Sequence, residues 1–355
     1  GVAEISNQLE FDDDVAYHAK LKLYQYARRL DPRPFALTVS FTHPHDPYVS
    51  RREFWDLYDH DAIPMPVTPT IPYAEQDAHS QRLYDAVDYT NFEVTDADIR
   101  NARHGYFANI SYLDNKIGEI LAVLDQCDFS DNTQIILCAD HGDMLGERGL
   151  WYKMSFFEGS SRVPFVITAP DRFKPGCVKT PVANHDILPT LIELAGGDPT
   201  KLVCEIDGRS VVGLASGQED PERAAYSEYC AEGSVAPMIM IRRGAYKFNY
   251  CPNDPTQLFN LENDPQELNN LADDPDYTDL MEAFTEEMNQ RWDFEQFTRE
   301  VKLSQACRKL VDSANRKGHF TAWDFQPQQD SKERFMRNHM DLNVLEANNR
   351  YPKPK

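Results

Sequence analysis

The chain has 355 residues, 41% hydrophobic, 11% aromatic and 26% charged, a composition that excludes disordered and collagen-like proteins and suits one large domain with a smaller appendage. Its 36 basic and 58 acidic residues give a net charge of -22, which disfavours nucleic-acid and anionic-membrane partners and leaves cationic or zwitterionic ligands, or plain solubility, as its meaning. Seven cysteines without a C-x-x-C pair, no apolar run of about 18 residues and no signal-peptide pattern at Gly1-Val2-Ala3-Glu4-Ile5 exclude a disulfide framework, a zinc knuckle and a membrane helix, and point to the cytoplasm.

Residues 12–30 read as a helix, with Asp12, Asp13 and Asp14 in its first turn, Arg28 and Arg29 in its last, and Pro32 and Pro34 as the stop. Residues 35–42 form an apolar, partly β-branched run, a buried strand that empties into His43-Pro44-His45-Asp46-Pro47-Tyr48. The prolines around His45 restrict its backbone and suit a fixed orientation, although an ordinary loop histidine has the same sequence. Residues 49–94, with prolines and scattered charges, predict an irregular excursion able to cover a site. Thr95 and Asp98 have the spacing of a capping box, and Ile110, Leu113, Ile117, Leu121 and Leu124 predict a long helix ending near Cys127 with those residues as its core face.

A second strand over residues 133–139 leads directly into Asp140-His141-Gly142-Asp143. A carboxylate beside an imidazole on a tight turn suits a divalent metal, yet two ligands are too few alone, and a solvated Asx turn is the competing interpretation. In Gly149-Leu150-Trp151-Tyr152-Lys153 the lysine is a point charge able to pair with sulfate or phosphate oxygens, while Glu158 and Arg162 are spaced as a helix ion pair. A third strand over 163–169 and a helix over 182–194 ended by Gly196-Gly197 complete the alternation. It predicts an α/β core over 1–221, a mostly parallel sheet sandwiched by helices. Beyond 222 the pattern changes to short strands at 225–229, 238–242 and 246–250, with a turn at Arg243-Gly244, and helices at 277–292 and 298–314. This predicts a smaller antiparallel-sheet-plus-helix subdomain over 222–319, followed by a tail over 320–355. The tail is polar but carries Trp323, Phe325, Phe335, Met336, Met340 and Leu342, which need burial.

Taken together, Pro44-His45-Asp46-Pro47, the strand before Asp140-His141-Gly142-Asp143, the Gly149 to Glu158 stretch and Asp186-Ile187-Leu188-Pro189-Thr190-Leu191 resemble the sulfatases and phosphonate monoester hydrolases of the alkaline-phosphatase superfamily. Tyr246-Lys247-Phe248, Gln257 to Leu261, Asp264-Pro265-Gln266-Glu267 and Asn270-Leu271-Ala272 resemble their C-terminal subdomain. Ala322 to Pro327, Arg337 to Leu342 and Arg350-Tyr351-Pro352 resemble the C-terminal extension of choline sulfatases.

The resemblance implies an alkaline-phosphatase-like fold and one divalent cation, Ca2+ or Mn2+, with Asp140 and His141 as its ligands from this chain. It also implies catalytic roles for Lys153 and His45, which would hold sulfate oxygens or protonate the leaving alkoxide. The family nucleophile is a cysteine oxidised to formylglycine within C-x-P-S-R. None of the seven cysteines has that context, and the aspartate pair that completes the family's metal site is also missing, so both are expected upstream of Gly1, in the same protein or in an N-terminal fragment of it. With choline sulfate as substrate, the quaternary ammonium would be met by aromatic faces and carboxylates, Glu228 and Asp341 being candidates and equally readable as exposed surface acids. Choline sulfatases further imply a homotetramer whose tails pack on neighbouring subunits. Two rivals stay open, a phosphonate or phosphate diester hydrolase on the same fold and a binding or assembly protein lacking the nucleophile.

Overall fold

The computed structural model describes residues 1–31, 33–169, 171–318 and 342–353. The chain forms two compact units, one from 1–65, 94–133 and 311–355, the other from 66–93 and 134–310.

In the first unit α1 (Asn7–Arg28) starts earlier than residue 12 because Ser6 is its cap, its hydroxyl accepting from Leu9 N at 3.2 Å. The three aspartates therefore lie beyond the first turn and diverge. Asp12 is fully buried, Asp13 pairs with Arg51 and with Lys116 at 2.9 Å, and Asp14 faces His18 at 3.4 Å. The helix α4 (Asp96–Gln126) begins at the expected capping box of Thr95 and Asp98. Its buried residues include Ala108, Asn109 and Tyr112, on the helix against which α1 and α2 (Arg52–Trp55) pack; of the expected core stripe Leu124 is buried, while Ile110 and Leu121 are 45% and 39% exposed. Residues 35–42 form neither helix nor strand, alternate in exposure over 35–40 and join no ladder among the described residues; Phe35 stacks on Tyr26 at 4.6 Å. The tail helix, numbered α10 in chain order (Leu342–Asn349), precedes a bridge between Tyr351 and Ile5, and Val2 and Ser50 form a parallel bridge.

In the second unit β1 (Ile135–Cys138) pairs with β2 (Phe165–Thr168) in antiparallel register, Ile135 opposite Thr168 and Cys138 opposite Phe165. A parallel arrangement needs a crossover helix of a dozen or more residues, and the link between these strands contains α5 (Glu158–Ser161) and a single 3-10 turn. The expected hairpin language past 222 becomes an antiparallel meander of β3 (Ala224–Tyr229), β4 (Met238–Arg243), β5 (Tyr246–Tyr250) and β6 (Gln257–Asn260). The helix α8 (Thr278–Arg291) lays Phe284 and Met288 over Ile239, Ile241, Phe248 and Leu258, side chains worth about 1.5–3 kcal/mol each when fully buried. The unit also contains α3 (Ala78–Ala86), α6 (Ile187–Leu194) and α7 (Val212–Ala215), and α9 (Phe294–Lys317) follows α8. Among the described residues no helix is long and apolar enough to cross a membrane.

Candidate active site

Two of the motifs meet in one self-bonded loop of the second unit. Past β1, Asp140 Oδ1 accepts from His141 N at 2.9 Å, and Gly142 N donates to Ser160 O at 2.7 Å. A Cβ on Gly142 would stand 2.2 Å from Gly159 O, so this approach of two backbones requires glycine. Asp143 Oδ1 accepts from Leu145 N at 2.9 Å and Tyr152 N at 3.1 Å, while Met144 N donates to Tyr152 O at 2.8 Å. The segment carrying Lys153 is thereby laid alongside the Asp140 turn. Leu145, Arg148 and Tyr152 have φ of 47°, 61° and 65°, left-handed conformations that cost side-chain-bearing residues energy and persist where surrounding bonds fix them. From α3, His79 Nε2 donates to Met154 O at 2.6 Å, a further strut beside Lys153.

Beneath the loop lies a buried ion cluster. Lys247 on β5 is 1% exposed and pairs with Glu158 at 2.6 Å and Glu267 at 2.8 Å, also donating to Phe156 O at 2.8 Å. Glu267, 3% exposed, accepts from Glu158 N at 2.8 Å; burial pushes its carboxyl above the usual range and Lys247 opposes the shift. Glu158 is thus held by Lys247 rather than by Arg162, because α5 is a single turn that ends before Arg162. Arg148 donates to Glu267 O at 3.0 Å and lies 4.2 Å over the Phe157 ring. The Tyr246-Lys247-Phe248 and Asp264 to Glu267 motifs therefore brace the lysine loop, a role that no local sequence pattern marks.

Asp140 and Glu228 line one cavity of 1130 Å³ in this unit, together with Arg162, His185, Arg242 and Trp292. Glu228 on β3 accepts from Trp292 Nε1 at 2.6 Å, and Trp292 meets Tyr226 edge-on at 5.9 Å, which places a carboxylate among aromatic rings. Arg291 already covers the Tyr226 face at 3.8 Å. Asp341 lies outside the described residues.

His45 belongs to the first unit. Its Nδ1 lies 3.0 Å from Asp46 O and 2.8 Å from Asp46 Oδ1, both acceptors, so Nδ1 carries a proton. The loop is pinned from α1: buried Asp12 accepts from Thr42 N at 2.7 Å, His43 N at 3.0 Å and His43 Nδ1 at 2.7 Å. Glu346 of α10 lies close enough to interact with His43, His45 and Asp46, and burial raises its carboxyl above the usual range. Asp12 and Glu346 are missing from the sequence-derived site. Asp12 had been assigned to a helix dipole, and no local pattern marks a carboxylate far along the chain.

Among the described residues no group of three or more His, Cys, Asp or Glu could hold a metal ion. The pair that is present fits half of such a site. His141 Nδ1 lies 2.8 Å from Gly142 O and so carries a proton, and its Nε2 lies 3.6 Å from Asp140 Oδ2. A carboxylate and an imidazole this close can share a cation set to one side of both, and the Asp140 carboxylate is 88% exposed and so accessible to one.

The chain matches the sulfatase family model over residues 6–197, the model of the N-sulphoglucosamine sulphohydrolase C-terminal region over 146–293, and that of the choline sulfatase C terminus over 299–351. A choline-sulfatase of Rhizobium meliloti (strain 1021) is 51% identical over 360 residues, covering 99% of this chain and 70% of that protein. The chain belongs to the sulfatase family. It is a sulfatase-type enzyme chain and groups with the choline sulfatases. An arylsulfatase of Clostridium perfringens is 31% identical over 48% of this chain and 36% of its own length. The phosphonate monoester hydrolase of Agrobacterium radiobacter shares the fold, with a TM-score of 0.64 at 23% identity over 78% of this chain and 60% of the other. The α/β, alkaline-phosphatase-like class expected from the sequence is therefore the class observed, but the sheets among the described residues are antiparallel where a mostly parallel one was expected.

Proposed function

We propose that the complete protein hydrolyses choline sulfate to choline and sulfate. The observation that carries this is the 51% identity over 99% of the chain to a choline-sulfatase, which runs through the tail as well as the core. Within the site, Asp140 and His141 would hold a divalent cation, Ca2+ or Mn2+, whose charge would stabilise negative charge on a sulfate oxygen. The Lys153 ammonium would pair with the remaining sulfate oxygens, and the strained, heavily bonded loop around it supports a fixed position for that charge. His45 would deliver a proton from Nε2 to the leaving alkoxide, with Asp46 on Nδ1 fixing the tautomer. Glu228 among Tyr226 and Trp292 suits a quaternary ammonium, which offers no hydrogen bond and is held by carboxylate charge and aromatic faces. Asp341 is a second candidate for that contact. A cytoplasmic homotetramer with a catalytic core over 1–221, a subdomain over 222–319 and an assembling tail over 320–355 completes the proposal.

The test is hydrolysis of choline sulfate against a phosphodiester by the complete protein, with metal measured on Asp140→Ala. Preference for choline sulfate, and loss of bound metal and activity in the variant with its fold intact, are expected. Preference for the phosphodiester would move the assignment to the diester hydrolases of the same fold. Full metal occupancy with normal turnover in Asp140→Ala would overturn the ligand assignment.

A further inference from the structure

Lys153 and the Asp140 turn are usable together only if their spacing is fixed, and one side chain joins both. Ser160, 2% exposed and in the last turn of α5, places its hydroxyl 2.5 Å from Lys153 O and 2.8 Å from Ser155 O, one proton shared between two carbonyls. Its own carbonyl accepts from Gly142 N at 2.7 Å. The same residue thus holds the backbone of Lys153 through its side chain and the backbone next to His141 through its main chain. The approach is tight on the Gly142 side, where glycine is required, and Ser160 N is itself fixed by Phe157 O at 2.9 Å. Glu158, in the same turn, is anchored on buried Lys247, so the turn bearing Ser160 rests on the ion cluster.

We propose that Ser160 is a positioning residue that sets the place of the Lys153 charge relative to the Asp140–His141 pair. Removing its hydroxyl leaves the Lys153 and Ser155 carbonyls without that donor in a buried setting, and the segment shifts to find new partners. An ångström of misplacement in a preorganised charge costs up to about a hundredfold in rate. The inference rests on the assignment of Lys153 to the sulfate oxygens.

The experiment is a double-mutant cycle in the complete, metal-loaded enzyme, with choline sulfate as the probe. Ser160→Ala is expected to lower kcat by about tenfold or more with KM little changed, since a charge that acts on the transition state is displaced. Ser160→Cys, which keeps size and a weak donor, should recover part of the loss. In a Lys153→Ala background the same serine substitution should cost less than about twofold, because there is no ammonium left to misplace. An equal cost in both backgrounds, or parental kcat in Ser160→Ala, would overturn the inference while leaving Lys153 in its role. A Lys153→Ala enzyme with parental kcat would instead overturn the role of Lys153, and this inference with it. Should Ser160→Ala not fold, Ser160→Cys carries the same cycle.

Discussion

Lys247→Met tests whether the buried ion cluster holds the lysine loop in place. Lys247 and Glu267 are 1% and 3% exposed and 2.8 Å apart, so the substitution strands a carboxylate that has almost no access to water. At an effective dielectric of about 20 the attraction at that distance is roughly 6 kcal/mol before relaxation. Breaking one side of a buried pair typically costs about 3–5 kcal/mol. Glu158, 25% exposed, recovers part of its hydration and adds little. The cost should depend on pH. Burial holds the Glu267 carboxyl above the usual carboxylate range, and Lys247 is the main influence pulling it down. A carboxyl raised in the folded state contributes stability below its unfolded pKa and loses it as pH rises through the folded value. Without Lys247 the rise is larger, so the variant should be penalised more near pH 8 than near pH 5. Urea unfolding of the complete protein followed by tryptophan fluorescence at both pH values measures this, and Lys247→Met/Glu267→Gln should recover much of the loss. A cost below about 1 kcal/mol near pH 8, or an equal cost at both pH values, would refute the reasoning.

If Lys153 has the proposed role toward the sulfuryl group, Lys153→Ala should lower kcat by roughly a hundredfold or more in steady-state assays. Asp12→Asn should cost about 1–3 kcal/mol in denaturant unfolding and slow turnover, because an amide has one acceptor oxygen where three donors converge. His104, stacked on Trp55 at 3.7 Å, has its pKa lowered chiefly by burial, so it contributes stability above about pH 6.5 that is lost as pH falls through its folded value; His104→Asn should flatten that acid limb in melts across pH. If the proposed tetramer and substrate are right, removing residues 320–355 from the complete enzyme should give smaller species by light scattering and weaken choline sulfate hydrolysis more than aryl sulfate hydrolysis.

Local signals in the sequence located most elements, and tertiary neighbours decided the differences. The Thr95–Asp98 box and the turn at Gly244, with φ of 51°, depend on bonds within a few residues and lie where expected. The start of α1 was misplaced because acidic residues suit a helix dipole and also suit buried acceptors, and only the position of Ser6 distinguishes the two. The same ambiguity affects α4, where apolar residues of suitable spacing occur on more than one face and α1 selects the row with Ala108 and Tyr112. Strand-like composition at 35–42 gives no strand, since a ladder needs a paired neighbour and none is paired with it among the described residues.

For the site, the residues that would touch substrate were legible and those that hold them were not. Asp140, His141, Lys153 and His45 stand out because polar side chains at the ends of apolar runs, beside Gly or Pro, are chemically conspicuous. Ser160, Lys247, Glu267 and Asp12 are conspicuous only once folded, when burial forces each polar group to find a partner and the partners turn out to be the backbone and carboxylates of the conspicuous loops. A point charge such as Lys153 stabilises a transition state to the degree that it need not move to do so. On the proposed roles, the chemistry would therefore depend as much on a serine hydroxyl and a buried ion pair as on the lysine itself. A search for such supports should begin from buried polar atoms that bond to the main chain of a candidate catalytic loop.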